Sequence, residues 1–305
     1  MRVVVITGAS SGIGRATANA FAADGASLVL AGRSAAALDV VAVECRGRSA
    51  EVLTVPTDVS VEDQVEALAA AAVERFGRID VWVGCASVFS LGAFEETPPA
   101  VFRQLIETNL FGQVYGARAV LPVFRQQRRG VLISIGSVYS RVTAPFVSPY
   151  VTSKFGLLGF MEALREELRS EPGIRICMVL PSTIDTPIYQ HAANYTGQRI
   201  HPLPPVVDPL RVARAVVRMA DRPRRVTIVG RVQGAFLPFR ALFPRAYEPL
   251  VAAVMRRMML RGGNVAPSAG NVFVPDPDPA TYSVSGGWRL LSGLRRRGPS
   301  RRSDM

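Results

Sequence analysis

The sequence predicts an α/β fold, a three-layer doubly wound parallel sheet in a single domain with a C-terminal extension. Three observations point there. Short strand-like runs alternate with longer helix-like segments through the first 230 residues, the pattern of a parallel sheet with helices on both faces. The first strand-like run passes directly into a Gly-rich turn and an Ala-rich segment. The chain's 305 residues suffice for one large α/β domain with a substantial core.

Residues 2–6 are a β-branched run of the kind that makes a buried parallel strand. Thr7-Gly8-Ala9-Ser10-Ser11-Gly12-Ile13-Gly14 follows at once, and residues 15–23 read as a helix. That order meets the needs of a dinucleotide pyrophosphate: glycines permit close backbone approach, and a helix N-terminus offers free N–H groups and a positive dipole end. A second strand over residues 27–31 ends at Gly32 and Arg33. Further strands are predicted over 51–55, 79–83, 131–135, 175–180 and 226–229, and helices over 61–76, 101–125, 150–170 and 207–220. No internal repeat is visible.

The chain holds one lysine, Lys154, against thirty-five arginines. Arginine is always charged and rigidly planar, whereas lysine is a compact ammonium whose pKa can be shifted. Where arginine is the default cation, the exception is informative. Tyr150 and Lys154 stand at i and i+4 of a predicted helix, so they share a face. An ammonium beside a phenol favours the phenolate and lowers its pKa toward the range of a general acid or base. Arginine and lysine have similar helix propensity, so Lys154→Arg is expected to spare the fold.

Thr-Gly-x-x-x-Gly-x-Gly near the start and Tyr-x-x-x-Lys in mid-chain resemble the short-chain dehydrogenase/reductase family, over residues 2–221. The resemblance implies a Rossmann-type domain over residues 1–230 that binds NAD(P) and interconverts an alcohol and a carbonyl. It places Gly8, Ser10, Ser11, Gly12, Ile13 and Gly14 at the pyrophosphate, Asp58 and Val59 at the adenine, and Ala86 at the ribose. Ile184 and Thr186, in Pro181-Ser182-Thr183-Ile184-Asp185-Thr186, fall at the nicotinamide. Asn109 and Ser137 resemble the family's catalytic asparagine and serine, completing a set with Tyr150 and Lys154. On this resemblance Tyr150 exchanges a proton with the substrate oxygen and Ser137 polarises that oxygen. Lys154 holds the nicotinamide ribose, and Asn109 positions a water that refills the relay.

Two departures stand out. Gly84-Cys85-Ala86-Ser87 replaces the family's usual Asn-Asn-Ala-Gly, and Ser182 stands where glycine is usual. Neither removes a proton donor. Cofactor choice rests on the end of the second strand: an acidic residue there would bond the ribose 2′-hydroxyl, whereas an arginine would pair with a 2′-phosphate. Gly32 and Arg33 favour NADP over NAD.

Cys45, Cys85 and Cys177 are odd in number and lack metal-ligand spacing, which predicts buried free thiols in a reducing compartment and no metal site. His191 and His201 fit no zinc or triad-like pattern, and His191 reads better as a solvated loop residue than as part of a substrate loop. With a strand at residue 2 and no apolar stretch of roughly 20 residues, no signal peptide, anchor or membrane span is expected, and the location is cytoplasmic. Residues 231–280 read as an apolar, Pro-broken helical extension: a lid, a subunit contact or a membrane-surface segment. Residues 262–279 read as an extended loop, and 281–305 as a basic disordered tail. Despite a net charge of +12, no aromatic interleaving or recognised motif points to specific nucleic-acid binding. The expected partners are a small alcohol or carbonyl substrate, bulky or apolar, and further copies of the chain in a homodimer or homotetramer. The alternative is a cofactor-binding membrane-associated or scaffold protein with little turnover, which has no need of the complete Ser–Tyr–Lys–Asn set.

Overall fold

The computed structural model describes residues 1–230 and 236–291. Strands β1 (Val3–Thr7), β2 (Ser27–Gly32), β3 (Val52–Pro56), β4 (Val81–Gly84), β5 (Gly130–Ile135), β6 (Ile174–Pro181) and β7 (Val226–Val229) form one sheet. Every pairing in it is parallel, in the order β7-β6-β5-β4-β1-β2-β3. Alternate residues of a strand face opposite sides, so a strand covered on both faces is apolar throughout. In β1, Val4 and Ile6 join Phe21, Leu38 and Val216 on one side, while Val5 joins Leu68, Phe124 and Met161 on the other.

Three helices, α1 (Gly12–Ala23), α2 (Ala35–Arg46) and α7 (Pro209–Asp221), supply the first layer. The second comes from α3 (Glu62–Phe76), α5 (Gly112–Gln127) and α6 (Ser148–Glu167), with α4 (Pro99–Ile106) leading into α5. The chain winds one way from β1 to β3 and the other from β4 to β7. Ligands of such sheets bind beyond the strand C-termini where the winding reverses, here between β1 and β4.

The long helix predicted over 101–125 is two helices. A π-helical turn at Glu107–Phe111 separates α4 from α5 and carries Asn109. Such single turns insert an extra residue and recur at functional sites. Two short pairings also lay outside the sequence reading. Ser90–Gly92 runs parallel to Ala193–Tyr195, and Leu260–Arg261 runs antiparallel to Arg199–Ile200. They join the segments that follow β4, β6 and α9 (Pro244–Val254), which itself follows α8 (Phe236–Leu242). A third apolar cluster forms where they meet, including Phe89, Tyr150, Met255, Met259 and Val272.

The predicted basic tail needs correction in its first part. Residues 281–289 lie along the body of the fold: Tyr282 is buried, the Gly12 N–H donates to the Ser283 carbonyl at 2.9 Å, and Arg289 pairs with Asp208. Aromatic side chains and main-chain carbonyls anchor what the arginine count had suggested was solvated. The arginines of 295–297 and 301–302 lie outside the described residues. Among the described residues no helix is long and apolar enough to cross a membrane, and the three cysteines are free thiols.

Candidate active site

The Gly-rich turn is fixed by close backbone approach. Gly8 has φ +66° and a Cβ there would lie 2.6 Å from the Ala86 nitrogen; at Gly14 it would lie 2.0 Å from the Gly8 carbonyl oxygen. Only glycine satisfies both positions. The turn therefore sits against the end of β4, and α1 points its N-terminus into a cleft. Ser10, Ser11, Gly12, Ile13, Arg33, Asp58, Val59, Ala86, Ile184 and Thr186 all line that cleft, with Ser137, Tyr150 and Lys154. Thr186 closes over Gly12, where a Cβ would lie 3.1 Å from its methyl. A helix N-terminus, small residues and hydroxyls along one wall have the chemistry of a dinucleotide site. Among the described residues no cluster has metal-ligand character.

Arg33 stands at the far end of this wall. Its guanidinium donates to the carbonyls of Asn271 at 2.7 Å and Val272 at 3.3 Å. The segment that follows crosses the turn, accepting from Gly12 and from Arg15, and reaches Asp185. Asp185 is buried and accepts from Ser285 Oγ at 2.8 Å and the Trp288 N–H at 2.9 Å.

Tyr150 and Lys154 lie one turn apart near the start of α6, 8 % and 1 % exposed. The Lys154 ammonium is 5.4 Å from the centre of the Tyr150 ring and donates to the Ile135 carbonyl at 3.1 Å. Ser137 and Ser87 line the cleft with Tyr150. Ser137 caps a short 3-10 turn (Val138–Ser140), its Oγ accepting from the Tyr139 N–H at 3.1 Å. One sequence expectation is corrected here. Lys154 does not lower the phenol's pKa: burial pushes Tyr150 up to about 12, against smaller opposing effects of Ser137 and Ser87. Burial also brings Lys154 down to about 8, so it is no longer a cation at the pH where this phenol would ionise.

Asn109 is fully enclosed and stands behind the cleft. Its Oδ1 accepts from the Val88 N–H at 2.8 Å and Ser87 Oγ at 3.0 Å; its Nδ2 donates to the Val88 carbonyl at 3.0 Å and Ser153 Oγ at 3.2 Å. These fill the two acceptor and two donor positions of an amide. The side chain braces the segment after β4 and presents no position for the expected water.

Beyond Tyr150 the cleft turns apolar. Phe89 meets Tyr150 edge-on at 4.7 Å, Tyr139 does so at 6.1 Å, and Tyr189 meets Phe89 edge-on at 5.8 Å. Val251 and Val254 of α9, with Met255 and Met259 after it, close the wall. Burial raises the phenols of Tyr139 and Tyr189 well above the usual range. His191, read from the sequence as solvated, lines this cleft between Tyr282 and Asp276, and burial lowers its pKa. None of these residues belongs to a motif, although a lid was among the readings of residues 231–280 and a substrate loop among those of His191.

A sequence model described as short chain dehydrogenase matches residues 2–195. The chain belongs to the short-chain dehydrogenase family. It is 34 % identical over 257 residues to the uncharacterized oxidoreductase YxnA of Bacillus subtilis (strain 168), covering 83 % of this chain and 72 % of that one. It is 30 % identical over 266 residues to dehydrogenase/reductase SDR family member 7B of Bos taurus, covering 84 % and 82 %. An alcohol dehydrogenase of the archaeon Thermococcus sibiricus, solved with 5-hydroxy-NADP, superposes with a TM-score of 0.66 at 29 % identity over 75 % of this chain and 95 % of that one. Levodione reductase superposes with 0.68 at 30 % identity, over 77 % and 98 %. This short-chain dehydrogenase is an oxidoreductase of a family that uses nicotinamide cofactors on small molecules. Its cleft also draws on residues beyond the matched segment, including Tyr247, Met255, Asn271 and Tyr282.

Proposed function

We propose that this short-chain dehydrogenase interconverts an alcohol and a carbonyl on a bulky, apolar substrate, preferring NADP to NAD. One observation carries the reading: Tyr150, Ser137 and Lys154 converge where a polar, Gly-rich half-cleft meets an aromatic one. The bound nicotinamide supplies or accepts the hydride. Tyr150 gives its proton to the carbonyl oxygen, or takes one from the alcohol, and Ser137 holds that oxygen. Lys154, aimed by the Ile135 carbonyl and with its pKa near 8, holds the nicotinamide ribose and passes the proton on. Gly8, Ser10, Ser11, Gly12, Ile13 and Gly14 hold the pyrophosphate, Asp58 and Val59 the adenine, Ala86 the ribose, and Ile184 and Thr186 the nicotinamide. Asn109 keeps the segment after β4 in place. The apolar wall of Phe89, Tyr189, Met255 and Met259 supports a substrate without charge at that end.

The test is a panel of ketones, aldehydes and alcohols followed by nicotinamide absorbance with each cofactor. Bulky apolar carbonyls should turn over with NADPH. A folded protein that binds cofactor but turns over nothing would favour the alternative of a membrane-associated or scaffold protein.

Arg33 supports NADP, as does the 5-hydroxy-NADP bound by the archaeal neighbour. A guanidinium has five N–H donors, so the carbonyls of Asn271 and Val272 do not exhaust it. Arg33→Ala should weaken NADP by about 1.5–3 kcal/mol and NAD far less, as read by titration. Equal losses would return Arg33 to a tether for residues 271–272.

Free thiols support a cytoplasmic location, and family habit supports a homodimer or homotetramer, measurable by light scattering. The outer side of α9 and its flanks exposes Leu242, Phe243 and Leu250 beside Arg245, Arg256 and Arg257. This supports a peripheral membrane contact. Vesicles with anionic lipid should sediment the protein and neutral ones should not; equal behaviour with both would remove the contact.

A further inference from the structure

The 3-10 turn that follows Ser137 carries Tyr139. Ser137 Oγ accepts from the Tyr139 N–H at 3.1 Å, and Ser140 Oγ accepts from the Ser137 N–H at 3.3 Å, so the two ends of the turn hold each other. Tyr139 is thereby fixed beside the hydroxyl that holds the substrate oxygen. Its ring meets Tyr150 edge-on at 6.1 Å and lines the cleft. A substrate held by Tyr150 and Ser137 extends into the apolar half, which this ring borders.

The phenols that line this half differ in what takes their proton. Tyr247 donates to the Thr143 carbonyl at 2.7 Å, and Tyr282 to the Asp276 carbonyl at 2.9 Å. Tyr139 donates to Met255 Sδ at 3.7 Å. A thioether is a weak acceptor, so this phenol realises little of what a hydrogen bond is worth in apolar surroundings. The wall of Phe89, Val251, Val254 and Met259 has no side-chain oxygen to offer instead. Burial raises the pKa of Tyr139, so the group stays a donor at neutral pH. An oxygen on the ligand would replace sulfur with a stronger acceptor, and the unbranched, adaptable Met255 loses little by the exchange.

We propose that Tyr139 is a specificity-determining residue whose phenol donates to a second oxygen of the substrate. That oxygen is a carbonyl, hydroxyl or ether set back from the reacting carbon along an apolar skeleton. The substrate class is then an apolar ketone or alcohol with a second oxygen function. The inference rests on the proposed alcohol–carbonyl reading. The contact is remote from the hydride transfer and equally good before and during it, so it acts on KM and not on kcat. No bond to hydrogen breaks at Tyr139.

The experiment compares decan-2-one with decane-2,5-dione, decane-2,7-dione and decane-2,9-dione as substrates with NADPH, for wild type, Tyr139→Phe and Tyr189→Phe. The quantity read is the ratio of kcat/KM for each dione to that for the monoketone. Comparing this ratio between proteins cancels the intrinsic reactivity and number of the carbonyls. In Tyr139→Phe it should fall about tenfold for the dione whose spacing fits, through a higher KM for that dione. The KM of decan-2-one, the dissociation constant of NADPH and the melting temperature should hardly change. An unmoved ratio at every spacing would overturn the proposal, as would a loss shared equally by monoketone and diones. A fall in melting temperature with an unmoved ratio would leave Tyr139 as an anchor for Met255 only. Loss of the ratio in Tyr189→Phe but not in Tyr139→Phe would assign the contact to the wrong phenol. Turnover of monoketones and of no dione would also overturn it. These outcomes leave the alcohol–carbonyl reading standing; a folded, cofactor-binding protein that turns over no ketone of any kind overturns both.

Discussion

Tyr150→Phe should lose on the order of 10²–10⁴ in turnover while keeping its fold and its affinity for the cofactor. The ring itself is structural: it meets Phe89 edge-on at 4.7 Å and belongs to the third apolar cluster. Phenylalanine preserves those contacts and deletes only the hydroxyl. The neighbouring hydroxyls keep their partners, Ser87 on Asn109 and Ser137 on the Tyr139 N–H. No buried donor or acceptor is left isolated, which is the usual reason such a deletion destabilises. Steady-state kinetics, cofactor titration and a melting curve check the three parts separately. Turnover at the wild-type rate would take Tyr150 out of the proton transfer.

Substitution of Lys154 should be as damaging to turnover, and its two variants should part company in stability. Lys154→Arg keeps the charge but puts a planar guanidinium into a space where the lysine is 1 % exposed. Helix propensity alone suggested that the fold would not notice. The burial reverses that expectation: overpacking a closed site costs about 1–3 kcal/mol, so the melting temperature should fall together with activity. Lys154→Met should be equally inactive yet at least as stable as wild type at pH 7. The sign follows from the pKa, which is about 8 in the folded protein against an ordinary value of 10.5. Below about 8 the folded protein carries an ammonium that burial disfavours, and this cost fades between about 8 and 10.5 as the proton leaves. The stability advantage of methionine should therefore shrink over that interval. Thermal melts across pH measure it. A methionine variant with wild-type turnover would leave the chain's single lysine without a chemical task.

The parts of the site legible in the sequence are those whose signal is local. β1, the Gly-rich turn and α1 are contiguous, and Tyr150 and Lys154 are separated by one helical turn, so spacing alone placed them. Asn109 was found by its motif, but its surroundings were not. Nothing in residues 101–125 marks the π-helical turn, which arises where α5 passes Val59 closely enough that a Cβ on Gly112 would lie 2.8 Å from its methyl. Ser87 looked like a neutral departure until its bond to Asn109 was seen. His191 and Tyr282 have no periodicity, and their burial depends on a loop rich in Gly and Pro. That loop was the hardest part to read, because it holds the cleft through main-chain carbonyls, which leave no trace in side-chain identity.

Those carbonyls also order events in time. The Gly12 N–H finds its partner at Ser283, and Arg33 finds its partners 238 and 239 residues downstream. Domains begin to form from the N-terminus as the chain is synthesised, and contacts so distant in sequence are closed late. A nascent chain that has emerged through β7 holds every strand of the sheet, yet one wall of its cleft is still on the ribosome. The first turn to be translated is among the last places to be finished.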